Sequence, residues 1–259
     1  MTKVPGKAGL KELRAEIIKA GDKYQASILQ RFFKTGPGQY GAGDIFLGIR
    51  VPNQRKIAAN HAHLSLDDIA QLLADKYHEI RLMGLLILIR KYELADSRAD
   101  RKKIVDFYLA HTKGINNWDL VDLSVYKILG DYLVIEAAGA AKKTAASDVK
   151  KSTVVPAILL KLARSKNLWE RRMAMVASYA FIKDGRPEVA FALAEKLMGD
   201  NHDLMHKAVG WMLREAGKRT GQDKLMVFLD KHAGKMPRTA LRYAIERLTP
   251  AERDKYLGR

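Results

Sequence analysis

The chain has 259 residues, with 46 Lys plus Arg against 29 Asp plus Glu, a net charge of +17 and no cysteine. With 47% hydrophobic and 29% charged residues it is an ordinary globular chain, long enough to bury a real core and too apolar to stay disordered. The missing cysteines exclude a disulfide framework and a thiolate metal site, and no apolar run approaches the roughly 20 residues that cross a bilayer.

The excess of cations makes a polyanion the expected partner, nucleic acid first, with generic basic solubility as the plain alternative. No HExxH or similar His/carboxylate spacing is present, so neither a metal nor another cofactor is expected. The opening MTKVPGKAGLKEL lacks the apolar core of a signal peptide, and a cytoplasmic protein, nucleoid-associated when bound to DNA, is expected.

Taken in chain order, the periodicity is helical almost everywhere. The glycine-rich KTGPGQYGAGD (34–44) lacks the GK[ST] of a phosphate loop and reads as a surface loop. SLDDIAQLLA (65–74) opens with Ser65 as a helix cap and Asp68 three residues on, close to a capping box. RLMGLLILIRKYEL (81–94) is apolar on nearly all sides and reads as a buried helix. DVKKSTVVPAILLKLA (148–163) begins at an aspartate, and Pro156 either kinks that helix or marks its true start. RPEVAFALAEKLM (186–198) and QDKLMVFLDKHAG (222–234) are amphipathic, the second closing at a glycine.

No alternating strand pattern of convincing length occurs. About a dozen helices of roughly 10 to 16 residues with short connections predict an all-α protein, a curved solenoid of HEAT- or armadillo-like helix pairs. A single domain over 1–259 with a basic concave face suited to a duplex is the expected organisation.

Three helices carry the chemistry-bearing residues. In NNWDLVDLS and its continuation (116–130), capped by Asn116 or Asn117, Val121, Val125 and Ile128 form the core stripe. Trp118 and Asp122 fall together at its edge, while Asp119 and Tyr126 lie further out. Asp119 sits in the first turn, where the helix dipole accounts for an acid. Asp122 lies beyond that turn and beside apolar positions, so it is either a salt-bridged core acid or a reactive carboxylate. In NLWERRMAMVASYA (167–180) Trp169 belongs to the apolar face, Arg172 to its edge and Arg171 to the solvent side. In NHDLMHKAVGWMLREAGKR (201–219) Trp211 is marginal to the apolar face and flanked by Lys207 and Arg214. That arrangement suits stacking beside a nucleotide whose phosphates the cations hold, or equally an anchor between helices.

NNWDLVDLS, LWERRMAM and HKAVGWMLREAGK resemble the corresponding motifs of the AlkD-type DNA alkylation repair family, as do FLGIRVPNQRKIA (46–58) and MPRTALRYAIERL (236–248). The matches keep family order from about residue 30 to 248. The resemblance implies a stack of HEAT-like repeats with a basic concave DNA-binding face. It also implies cleavage of the glycosidic bond of positively charged N3- and N7-alkylpurines in duplex DNA, without flipping the base. Carried over, the catalytic Trp and Asp fall on Trp118 and Asp122, the Arg on Arg172 with Arg171 as the competing alignment, and a second DNA-facing Trp on Trp211. The family's N-terminal lesion-contacting aromatic is not assigned to a residue, since the segment around SILQRFF differs from the family there, and EAAGAAKKTAASD (136–148) is an insertion. An alkylated purine cation is already a good leaving group and needs no general acid. A carboxylate near C1′ stabilises the positive charge that develops on the sugar, and an indole face attracts both cations. Two other readings remain at this level: a non-catalytic helical-repeat binder of distorted duplex, and a scaffold for protein partners. A monomer is expected in each.

Overall fold

The computed structural model describes residues 9–143 and 155–258, with side chains up to residue 139 in the first stretch. The described residues are all-α, and the β-structure among them is a single parallel bridge between Ile45 and Tyr77. The chain divides into two compact units, residues 1–120 and 121–259.

The first unit holds α1 (Leu10–Lys19), α2 (Lys23–Phe32), α3 (Val51–Ala59), α4 (Leu66–Leu73), α5 (His78–Glu93), α6 (Arg98–Ala110) and the first turn of α7 (Trp118–Val125). Its centre is α5, which packs against α3, α4 and α6. A helix that is apolar all round is a buried one, and α5 buries residues from His78 to Tyr92. It begins three residues before the apolar run that predicts it, so His78, Glu79 and Arg81 are inside the protein with the leucines. The predicted capping box at α4 is present, Ser65 and Asp68 each bonding the other's backbone amide.

The loop before α3 owes its path to Glu79. Its buried carboxylate accepts from three successive amides, Leu47 at 2.9 Å, Gly48 at 2.8 Å and Ile49 at 3.2 Å. Gly48 has φ 88°, and a Cβ there would lie 2.0 Å from the carbonyl oxygen of Asp22. Only glycine meets both demands.

The second unit holds the rest of α7, a π-helical turn (Tyr126–Gly130), α8 (Asp131–Lys143), α9 (Ala157–Ala163), α10 (Leu168–Lys183), α11 (Glu188–Leu197), α12 (Asp203–Thr220), α13 (Gln222–His232), α14 (Arg238–Ala244) and α15 (Pro250–Leu257). Here α10 is central, touching α9, α11, α12 and the π turn. The uninterrupted helix read over 116–130 is therefore α for its first two turns and π for its last. Gly130 permits the close crossing that the π turn makes on α10, since a Cβ there would lie 2.6 Å from the carbonyl oxygen of Ala177.

Pro156 marks a true start, as the N-cap of α9. The residues 148–154 of the helix read there lie outside the described residues. Among the described residues no helix is long and apolar enough to cross a membrane.

Candidate active site

α7 carries the two residues the sequence singles out, one in each unit. Val121, Val125 and Ile128 are fully buried, so the core stripe read from the sequence holds. The backbone amide of Trp118 donates to Asn117 Oδ1 at 2.8 Å, which fixes Asn117 as the side chain opening the helix.

In the first unit Trp118 is half-buried and ends a stack of rings. Its indole lies on Phe33 with centroids 5.1 Å apart and planes 13° from parallel. Phe33 stacks on Phe46 at 4.8 Å, and Phe46 on His78 at 4.4 Å. Phe32, which is exposed, meets the indole edge-on at 6.0 Å. The indole N–H donates to the Tyr40 hydroxyl at 3.3 Å, so the glycine-rich loop, a surface loop as read, also fixes the tilt of the tryptophan.

Beneath the stack lies a buried polar cluster that the sequence reading does not contain. The ring of His78 bridges two carboxylates, with Nδ1 3.1 Å from Asp44 and Nε2 2.8 Å from Asp119. Asp44 also accepts from Arg81 at 2.5 Å and from Asn117 Nδ2 at 2.9 Å. Burial pulls the His78 pKa down, but the hydrogen bonds and charges of Asp119 and Asp44 outweigh it and raise it to about 9. His78 is therefore a buried cation near neutral pH, donating from both nitrogens. Burial pushes the Asp44 carboxyl up, and His78, Arg81 and Asn117 together more than reverse this, leaving it below the usual carboxylate range.

This cluster corrects the placement of Asp119. It is not an outlying first-turn acid but a buried partner of His78. The helical wheel is right about its angle to the α7 core stripe. What covers that side is α5, and its polar residues receive the acid.

In the second unit Asp122 and Arg172 form a two-point pair. Arg172 Nε donates to Asp122 Oδ1 and Nη2 to Oδ2, both at 2.8 Å. The arginine side chain is 6% exposed and the carboxylate 16% exposed, so Asp122 stays partly exposed while its plane is fixed. The third nitrogen of Arg172 donates to the carbonyl of Leu204 at the start of α12.

Arg171 does not point into solvent as its helical angle suggests. It forks onto Asp200, Nε donating at 2.6 Å and Nη2 at 3.3 Å, and its remaining nitrogen donates to the carbonyls of Ser165 and Lys166. Burial pushes Asp200 up, but the bond from Arg171, the His202 amide and the two positive charges hold it below the usual range. The adjacent arginines thus fasten the segment before α12 and the first turn of α12 itself.

Trp211 is half-buried and belongs to a row of aromatics drawn from successive helices. Tyr126 meets Tyr179 edge-on at 5.2 Å, and Tyr179 tilts against Trp211 at 6.3 Å. Arg219 lies over the Tyr179 ring at 5.2 Å and donates to its hydroxyl at 2.7 Å. Of the cations flanking Trp211, Lys207 pairs with Asp203 at 2.8 Å, and Arg214 pairs with Glu246 and Glu215. Trp169 is core, as read.

Asp44, His78, Arg81, Asn117, Phe33, Tyr40 and Tyr179 are the contributors that sequence reasoning missed. A signal for some of them was present. His78, Glu79 and Arg81 lie in the first two turns of α5, which have no solvent face, and charged residues are buried only when partnered. Among the described residues no group of three or more His, Asp or Glu is arranged to hold a metal ion.

These features define an all-α protein with a fixed, partly exposed carboxylate and two aromatic surfaces in a strongly basic chain. The model of the DNA alkylation repair enzyme family matches residues 13–248, and the chain belongs to that family. A solved structure described as a predicted DNA alkylation repair enzyme from Enterococcus faecalis has the same fold, with a TM-score of 0.64 at 13% identity over 89% of this chain and 97% of that one. No curated protein matches the chain. A role in DNA alkylation repair follows from the family.

Proposed function

We propose that this chain is a DNA glycosylase that releases N3- and N7-alkylated purines from duplex DNA without flipping them, acting as a monomer and a single repeat domain in the cytoplasm and nucleoid. The observation that carries the reading is the Asp122 carboxylate, held by both oxygens by Arg172 and still partly exposed, in a chain of net charge +17. A protein selected only to grip phosphates gains nothing from a fixed, partly exposed negative group.

The alkylated purine is already cationic and leaves with the bonding electron pair as the C1′–N bond breaks. Positive charge passes to the sugar, and Asp122 faces it. Water adds to C1′ and loses its proton, with Asp122 placed to align it. The indole of Trp118 attracts the cationic base and the cationic sugar, worth about 0.5 to 2 kcal/mol per contact. Arg172 positions the carboxylate. Trp211, with Lys207 and Arg214, belongs to the duplex-binding surface in this reading, and the ion pairs of these two cations exchange for phosphate on binding. Arg171, forked onto Asp200, acts on that surface by holding the segment before α12.

The experiment is release of 7-methylguanine and 3-methyladenine from methylated duplex, with Asp122→Asn as control. Release by the wild-type protein but not by the variant is expected. Tight duplex binding with no release by the wild-type protein would make it a binder of distorted DNA instead.

A further inference from the structure

The first unit contains a cavity of 310 Å³ that the proposed chemistry does not use. Its floor includes Phe33, Phe46, Gln54, His78 and Asp119, and Arg50 stands at its mouth. The apolar walls would suit a ring, but it is the polar atoms that limit what can enter.

The donors on the floor are engaged, save the second N–H of Gln54. Both His78 nitrogens are taken by carboxylates. The amides of Leu47, Gly48 and Ile49 all go to Glu79. Gln54 is 1% exposed, and its Nε2 donates to the Ile49 carbonyl at 2.8 Å. That bond fixes which end of the amide is nitrogen. Two acceptors are left over: Gln54 Oε1 and Asp119 Oδ1 are buried without a hydrogen-bond partner among the described residues. Buried polar atoms without partners are few in folded proteins, and each costs free energy that a matching ligand recovers.

We infer that this cavity is a binding site for a small aromatic amine or amidine, amino-substituted nucleobases among them, whose ring fills the apolar part and whose N–H groups meet Gln54 and Asp119. An anion is disfavoured there, because the two unpartnered atoms are acceptors, one of them a carboxylate oxygen, against the single remaining N–H of Gln54. The site shares no residue with the Asp122–Arg172 pair and does not depend on the base-release reading.

The test is titration of the full chain with benzamidine and with benzoate, which share one shape and differ in donors, followed by isothermal calorimetry and by the side-chain amide resonances of Gln54. Benzamidine should bind with a Kd on the order of 1 mM or tighter, and benzoate at least about tenfold more weakly. Gln54→Leu, which deletes one acceptor, should weaken benzamidine about fivefold to tenfold. Leu29→Trp fills the cavity from the half-buried side of α2 without touching the polar atoms, and should abolish binding in a folded protein. Equal affinity for the two probes, binding that survives Leu29→Trp, or no binding of benzamidine would each overturn the proposal. In the last case water alone serves the two acceptors.

Discussion

Arg172 holds Asp122 by both carboxylate oxygens across 50 residues of chain, and its third nitrogen reaches the carbonyl that opens α12. One guanidinium therefore sets the plane of the carboxylate and the position of the next helix. Because it is 6% exposed, it cannot itself be a phosphate contact without rearrangement.

Asp122→Asn should lower base release by about two to three orders of magnitude, the usual scale for losing one preorganised electrostatic group. Duplex affinity should be unchanged or raised, since a negative charge is removed. Arg172→Lys keeps the charge but cannot fork, so it should lower release while the protein stays folded. Single-turnover release of 7-methylguanine alongside duplex binding separates the two effects. A fully active Arg172→Lys would show that the fork does not position Asp122.

Asp119→Asn is expected to cost stability, although Asp119 taken alone as a first-turn acid looks dispensable. Removing one partner of a buried charge costs about 3 to 5 kcal/mol. His78 loses one carboxylate, and its remaining neighbours are Asp44 and the cation Arg81. Thermal unfolding of Asp119→Asn and Asp44→Asn measures this. Wild-type melting temperature in both would mean the cluster carries no net stabilising charge pairing.

The same cluster gives a pH dependence with a definite sign. His78 has a folded pKa of about 9, above the unfolded value near 6.5. A raised pKa contributes stability that is full below the unfolded value and is lost as pH rises through the folded one. Denaturant midpoints should therefore fall between about pH 6.5 and 9. In His78→Gln that decline should disappear, leaving a lower but flatter profile. A wild-type profile flat across this window would contradict a protonated His78.

Duplex binding should weaken steeply with salt and depend little on sequence. Neutralising about six phosphates costs roughly three orders of magnitude in affinity between about 50 and 200 mM salt. A salt-independent affinity would remove electrostatics as the grip.

Arg171→Ala should destabilise the protein more than it weakens DNA binding. Its bonds to Asp200 and to the carbonyls of Ser165 and Lys166 tie α9, α10 and the start of α12 together. A variant with native melting temperature and much weaker duplex affinity would restore the phosphate-contact reading.

The sequence alone determined the helices, because helical periodicity and caps are local. The buried faces of α5 and α10, the capping box at Ser65 and the core stripe of α7 follow from spacing of 3.6 residues and from residue type. Of the two arginines that the family resemblance offers to Asp122, the wheel favours Arg172 over Arg171, since it separates neighbours by 100°. Tertiary structure decided what a wheel cannot contain, which is what lies opposite each face. Arg171 looked solvent-facing until Asp200 was brought to it from 29 residues away. Asp119 looked like a cap until α5 placed His78 against it, and Asp44 gained its three side-chain partners, His78, Arg81 and Asn117, only when a glycine-rich loop folded onto α5 and the start of α7. A buried charge is tolerated only where partners converge from distant segments, and that convergence depends on packing, which is not local in the chain.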